Sequence, residues 1–117
     1  MNTRALLLAL NANIPTETVN IKDVGDIKLK GLNAGQRDSW EQFIHNSKNG
    51  NDSVKNFRAS LVCRCIVNNE DGTRVYNDTA ADLDEVSSLP AAVVDRLFIV
   101  CQKLSGLGNQ VDTLEKT

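Results

Sequence analysis

Aromatic residues are scarce in this chain of 117 residues: Trp40, Phe43, Phe57, Tyr76 and Phe98 are all it has, 4% of the total. Any core must therefore be built mainly from Leu, Val, Ile and Ala. A basic surplus is also missing. Thirteen Lys and Arg stand against 15 Asp and Glu, for a formal net charge of −2 and a pI near 5.3. Nucleic-acid binding relies on clustered Lys and Arg that neutralise phosphates. Here the nearest cluster is Lys22, Lys28 and Lys30, with acidic residues around it. No stretch approaches the roughly 20 apolar residues of a membrane span. The cysteine count is odd, with Cys63, Cys65 and Cys101 inside apolar patterns. That composition argues for reduced core thiols rather than a disulfide framework.

A secretory leader is not evident either. The apolar stretch at residues 5–10 is shorter than the roughly 7–15 residues of a leader's apolar segment. Asn11 and Asn13 follow it without a small-residue cleavage site. The expectation is an intracellular protein that keeps its N-terminus. What the chain does have is an ordinary globular composition, 41% hydrophobic and 24% charged. Its length suits one domain, which we place at residues 1–108, with a loose polar tail at 109–117. No repeat, low-complexity segment or interdomain linker interrupts it.

Periodicity predicts a mainly α domain of about four helices with an N-terminal β-hairpin. Residues 3–12 are good helix formers, with Leu6, Leu7 and Leu10 on one face. Residues 17–32 read as the hairpin, because Val19 and Ile21, then Ile27 and Leu29, alternate with polar neighbours. A two-residue turn would put those pairs on opposite faces. A three-residue loop, Val24-Gly25-Asp26, pairs Ile21 with Leu29 and unites all four on one buried face, with Gly25 at positive φ.

Asn33 opens a helix to about Ser47, with Trp40, Phe43 and Ile44 inward. Asp52 or Ser53 caps the next, running to Val67, with Val54, Phe57, Arg58, Leu61, Val62, Cys65 and Ile66 at helical spacing. Asn68-Asn-Glu-Asp-Gly-Thr is a turn, and Val75 and Tyr76 read as a short extended piece. Asp78 or Thr79 caps a helix to Ser87. The last helix covers residues 89–104, with Pro90 tolerated in its first turn and Val93, Val94, Leu97, Val100, Cys101 and Leu104 as its stripe.

None of the chemistry-bearing residues forms a recognisable catalytic or metal constellation. Cys63 and Cys65 are two apart on a helix, so they point about 200° apart and do not chelate together. His45 lacks a local nucleophile partner. The acidic residues of 68–73 lack calcium-loop spacing, and the Gly31/Gly35 and Gly106/Gly108 pairs lack the spacing and lysine of a phosphate loop. The expectation is a non-enzyme with no cofactor. The leucines at 6, 7 and 10 have no obvious place in so small a core, and an isolated hairpin is marginal in water.

Four segments, in order, carry a resemblance: Thr18-Val-Asn-Ile with its hairpin partner; Leu29-Lys-Gly-Leu-Asn-Ala-Gly-Gln-Arg-Asp-Ser-Trp-Glu; Val54-Lys-Asn-Phe-Arg-Ala-Ser-Leu-Val-Cys-Arg-Cys-Ile-Val with Glu70-Asp-Gly-Thr-Arg-Val-Tyr; and Leu89-Pro-Ala-Ala-Val-Val-Asp-Arg-Leu-Phe. In these the chain resembles the tail assembly chaperones of long-tailed, siphovirus-type bacteriophages and prophages. The resemblance implies a non-catalytic factor that binds the tape measure protein, shields its apolar helices and helps recruit tail tube protein. It also implies self-association, a place in the host bacterial cytoplasm, absence from the mature virion and, in many members, a longer form made by translational frameshifting near the end of the frame.

The family offers no fixed residues to transfer. From this chain's own pattern, Leu6, Leu7 and Leu10 are the candidate exposed contact, and Lys28, Leu29 and Lys30 the candidate hairpin edge for self-association. Two other readings compete. A helix-turn-helix DNA-binding regulator would use Lys55, Asn56, Arg58 and Arg64 on the helix at 52–67. A small enzyme or metal protein would need a site that the motifs do not supply.

Overall fold

The apolar–polar alternation of residues 16–30 produces an antiparallel hairpin, the first part of a three-stranded sheet. The computed structural model describes residues 2–47 and 56–107. In chain order they form α1 (Thr3–Ala9), a 3-10 turn (Leu10–Asn13), β1 (Thr16–Ile21), β2 (Gly25–Lys30), α2 (Ala34–Ser47), α3 (Phe57–Cys65), β3 (Ile66–Val67), α4 (Ala80–Ser87) and α5 (Ala91–Leu104). The sheet order is β1-β2-β3, antiparallel throughout. The class is mixed α+β: the five α-helices of the described residues agree in part with the expected mainly helical domain, the N-terminal hairpin is in place, and a third strand is added.

The register differs from expectation. Val19 pairs with Ile27 and Ile21 with Gly25, so the three-residue loop is Lys22-Asp23-Val24. Val24 N donates to Ile21 O at 3.0 Å, and Asp23 takes the left-handed conformation at φ 67°. Asp accepts that conformation more readily than Lys or Val, which places the turn two residues earlier. Gly25 does have positive φ, 126°. Each partner shifts by four residues, an even number, so no side chain changes face. Val19, Ile21 and Leu29 are buried together, with Ile27 packed beside them.

The helix expected to run to Val67 ends at Cys65, and Ile66 and Val67 become a strand on β2. Two β-branched residues favour the extended form, and pairing with Leu29 and Lys28 satisfies the backbone groups that β2 would otherwise leave open. Val75 N donates to Ile66 O at 3.2 Å beyond the turn at 68–73. The expected caps Asp52 and Ser53, with Val54, lie outside the described residues, as does the 109–117 tail.

Helix α3 is the centre of the body. Phe57, Ala59, Ser60, Leu61, Val62, Cys63 and Cys65 are buried, while Arg58, assigned to its apolar stripe, is exposed. Trp40 on α2, Phe57 on α3 and Phe98 on α5 form a line of tilted rings, with centroids 5.4 and 5.9 Å apart. Such pairs contribute about 1 kcal/mol each beyond burial. Trp40 Nε1 donates to Ser60 Oγ at 2.8 Å, and Ser60 Oγ donates to Phe57 O at 2.7 Å, so no polar atom of this junction is left unpaired.

Helix ends follow their local residues. Asn33 and Gln36 form a reciprocal capping box at α2. Thr79 Oγ1 accepts from Asp82 N at α4. After α5, Gly106 at φ 68° lets its own N–H reach Lys103 O, and lets Leu107 N reach Gln102 O. This is a Schellman stop, sealed by the buried Leu107. Gly31 passes so close to the end of α5 that an added Cβ would lie 2.3 Å from Leu104 O. Its N–H donates to Pro15 O, and Leu32 N donates to Ser105 Oγ. The base of the hairpin is thereby fastened to the C-terminus of α5.

Candidate functional site

Helix α1 obeys its local sequence but has no place in the core. Asn2 Oδ1 accepts from Ala5 N at 2.7 Å and starts the helix. Between Thr3 and Leu10 the only charged residue is Arg4, so the helix is apolar nearly all round. A helix of that composition is normally buried. Here it buries none of its residues. Leu6, Leu7, Leu8 and Leu10 are exposed at 52, 60, 59 and 59%. Leu6, Leu7 and Leu10 are therefore accessible, as expected, and Leu8 joins them. Together they offer roughly 400 Å² of apolar surface, about the largest single patch a monomer ordinarily shows.

The second part of the candidate site is corrected. Lys28 and Leu29 are not an edge, and Lys30, paired only with Thr16, ends the same strand. They lie on β2, the middle strand, with Lys28 paired to Thr18 and Val67 and Leu29 paired to Glu17 and Ile66. Leu29 is fully buried, at 0%. The outer strand on the hairpin side is β1, whose Thr16, Thr18 and Asn20 are exposed. The error came from not foreseeing β3, because Ile66 and Val67 also continue the helical pattern before them.

A groove of about 420 Å³ lies at the hairpin-turn end of the sheet. Ile21, Ile27, Ile66, Tyr76 and Val93 line it, and the exposed Val24 and Val75 stand on its rim. It joins residues from both hairpin strands, β3, the segment after the 68–73 turn and the start of α5. Nothing local in the sequence marks it.

Polar groups gather elsewhere. Arg74 Nη2 donates to Asp78 Oδ1 at 2.7 Å, and Arg64 Nε lies 3.8 Å from the same oxygen. The hydrogen bond from Arg74 holds the Asp78 carboxyl below its ordinary range, and burial lowers that of Arg64. Arg64 also donates to Ser60 O and lies 5.1 Å from the centroid of the Phe43 ring. These bonds tie α3 to the segment before α4.

The thiols are internal. Burial pushes Cys63 up, and the hydrogen bond with Cys65 together with burial pushes Cys101 up. All three are free and buried, so none presents a thiolate at the surface. Among the described residues no group of three His, Cys, Asp or Glu is placed to hold a metal ion, and no helix is long and apolar enough to cross a membrane.

The helix named by the DNA-binding reading is α3 and the residues before it. Arg58 lies 3.5 Å from Asp95, Arg64 is only 10% exposed, and Lys55 lies outside the described residues. Of the residues that reading names, Arg58 is the exposed one among those on α3. Compared with family models, curated proteins and solved structures, the chain matches none.

Proposed function

We infer that this chain is a non-catalytic assembly chaperone of the kind made by long-tailed phages and prophages, working through apolar contacts. The observation that carries the reading is α1, whose three leucines, with Leu10 just after it, are each more than half exposed on a helix that buries nothing. In water such a helix is poorly placed. Against another apolar helix it would remove surface worth about 25 cal/mol per Å². The tape measure protein, a long rod with apolar helical faces, is the partner that such a surface suits. Many copies spaced along the rod would cover it reversibly until tail tube protein replaced them. Self-association, residence in the host cytoplasm, absence from the mature virion and a longer frameshifted form belong to the same reading.

The test is the double substitution Leu7→Asp with Leu10→Asp. Neither residue is buried, so the helical signal and thermal midpoint should stay near those of the parent. Capture of a purified tape measure fragment should fall at least about tenfold, or about 1.4 kcal/mol. Unchanged capture by the well-folded variant would remove α1 from the contact.

A further inference from the structure

Two arginines far apart in sequence share one pocket with the start of α2. Arg64 comes from the last turn of α3, and a bridge to Val67 carries Arg74 beside β3. Two adjoining cavities, of about 300 and 130 Å³, have Asn33, Gln36, Arg64 and Arg74 in common as walls. The larger is at the lower end of the range for small-ligand sites. The arginines are short of acceptors. A guanidinium carries a fork of N–H donors and accepts nothing. Among the described residues the Arg64 guanidinium makes one hydrogen bond, to Ser60 O at 3.1 Å, although its side chain is only 10% exposed. Its Nε lies 3.8 Å from Asp78 Oδ1, too far for a hydrogen bond. The Arg74 guanidinium also makes one, from Nη2 to that same oxygen at 2.7 Å. Its Nε is shut off from solvent and meets no acceptor among the described residues. One half-exposed carboxylate therefore serves two guanidiniums. Polar groups withdrawn from water are normally paired, so the remaining donors lack a partner that the described residues do not supply.

The helix end adds donors of the same sense. The capping box takes up the N–H groups of Asn33 and Gln36. Those of Ala34 and Gly35 belong to a first turn that has no intrahelical acceptor for them. Gly35 borders the larger cavity with its backbone uncovered: the nearest atom to where a Cβ would stand is Asn33 Oδ1, at 3.7 Å. Lys30 borders the smaller cavity. Three cations and one carboxylate thus surround the two cavities, in a chain whose net charge is −2. We propose that this pocket binds a phosphate group, either the free ion or the end of a small phosphomonoester. A phosphate carries close to two negative charges at neutral pH, and its acceptor oxygens spread about an axis. That charge matches the surplus of the pocket, and that shape suits donors arriving from α3, from the Arg74 segment and from the α2 backbone. A carboxylate keeps its oxygens in one plane, and Asp78 already holds one such place. Arginine forks and helix N-termini both favour phosphate. The pocket uses no residue of α1, so it stands or falls separately from the chaperone reading.

The experiment is calorimetric titration of the full chain with inorganic phosphate and, separately, with glycerol 3-phosphate. Chloride holds the ionic strength constant, and circular dichroism checks the fold of each variant. At least one of the two probes should bind with a Kd of about 1 mM or tighter. Arg74→Gln removes one fork and should weaken that binding at least about tenfold. Ser39→Asp leaves both arginines in place and changes an exposed residue bordering the larger cavity. Its added negative charge should weaken binding about fivefold, and it keeps the test open where Arg74→Gln does not fold. Tighter binding of glycerol 3-phosphate assigns the pocket to a phosphomonoester, and equal or tighter binding of inorganic phosphate assigns it to the free ion. No binding of either probe at about 10 mM, or binding unchanged in a folded Arg74→Gln or in Ser39→Asp, would overturn the proposal.

Discussion

Helices α1 and α5 are the two most leucine- and valine-rich segments of the chain, and they have opposite fates. Helix α5 buries Val94, Leu97, Phe98 and Cys101, packs on α3 and both hairpin strands, and ends in a sealed Schellman stop. Helix α1 buries nothing. Apolar content alone does not separate a core helix from a contact helix. Length and pattern do. The 14 residues of α5 carry a stripe with polar residues opposite, so it has an inside and an outside. The seven of α1 are apolar on nearly every side, so no single face of the body satisfies them.

The largest expected effect breaks this contrast directly. Leu97→Ala should lower the free energy of unfolding by about 3 kcal/mol, as core truncations of this type do. Leu7→Ala, measured by the same urea titration on dilute protein, should shift it by less than about 0.5 kcal/mol. Equal effects would mean that α1 belongs to the core.

A smaller effect concerns the joint between the two helices. Gly31→Ala would set a Cβ 2.3 Å from Leu104 O, and backbone on both sides limits the retreat. A loss of about 2 kcal/mol follows. A loss near zero would show that the end of α5 yields freely and that α1 is mounted on a looser base.

The smallest effect is pH-dependent and confined to the body, because Arg4 is the only titratable side chain of α1. The Asp78 carboxyl is held below its ordinary value of 3.8 by the hydrogen bond from Arg74. A depressed carboxylate contributes stability that is complete above the unfolded value and is lost as pH falls through the folded one. Stability should therefore decline below about pH 4, and Asp78→Asn should flatten that decline by a few tenths of a kcal/mol, since the pair is half exposed. An unchanged acid limb in the variant would show that the Arg74 bond is not maintained in solution.

Local signals were legible wherever they decide structure by themselves. The helix start at Asn33, the Thr79 cap, and the shared face of Val19, Ile21, Ile27 and Leu29 all follow from neighbours in sequence. The turn at Asp23 was misplaced by two residues because both placements preserve the buried face. Strand β3 was hidden because two residues carry too little periodicity to oppose a helix running into them. The exposed leucines of α1 were legible as a surplus over what a small core holds. The groove was not, since its lining comes from segments up to 76 residues apart, Ile21 and Leu97 among them.

The clasp at Gly31 has one more consequence. Pro15, Gly31, Leu104 and Ser105 meet at one spot, and Lys103 Nζ bonds Glu17 Oε1 there at 2.9 Å. The root of the N-terminal helix and the last described turn of the chain are therefore neighbours. Anything tethered after Leu107, a fused domain or a longer translated tail, starts its reach beside α1. A short flexible leash from that point would hold its cargo at millimolar effective concentration around the leucine face, so a weak contact made there becomes a nearly permanent one.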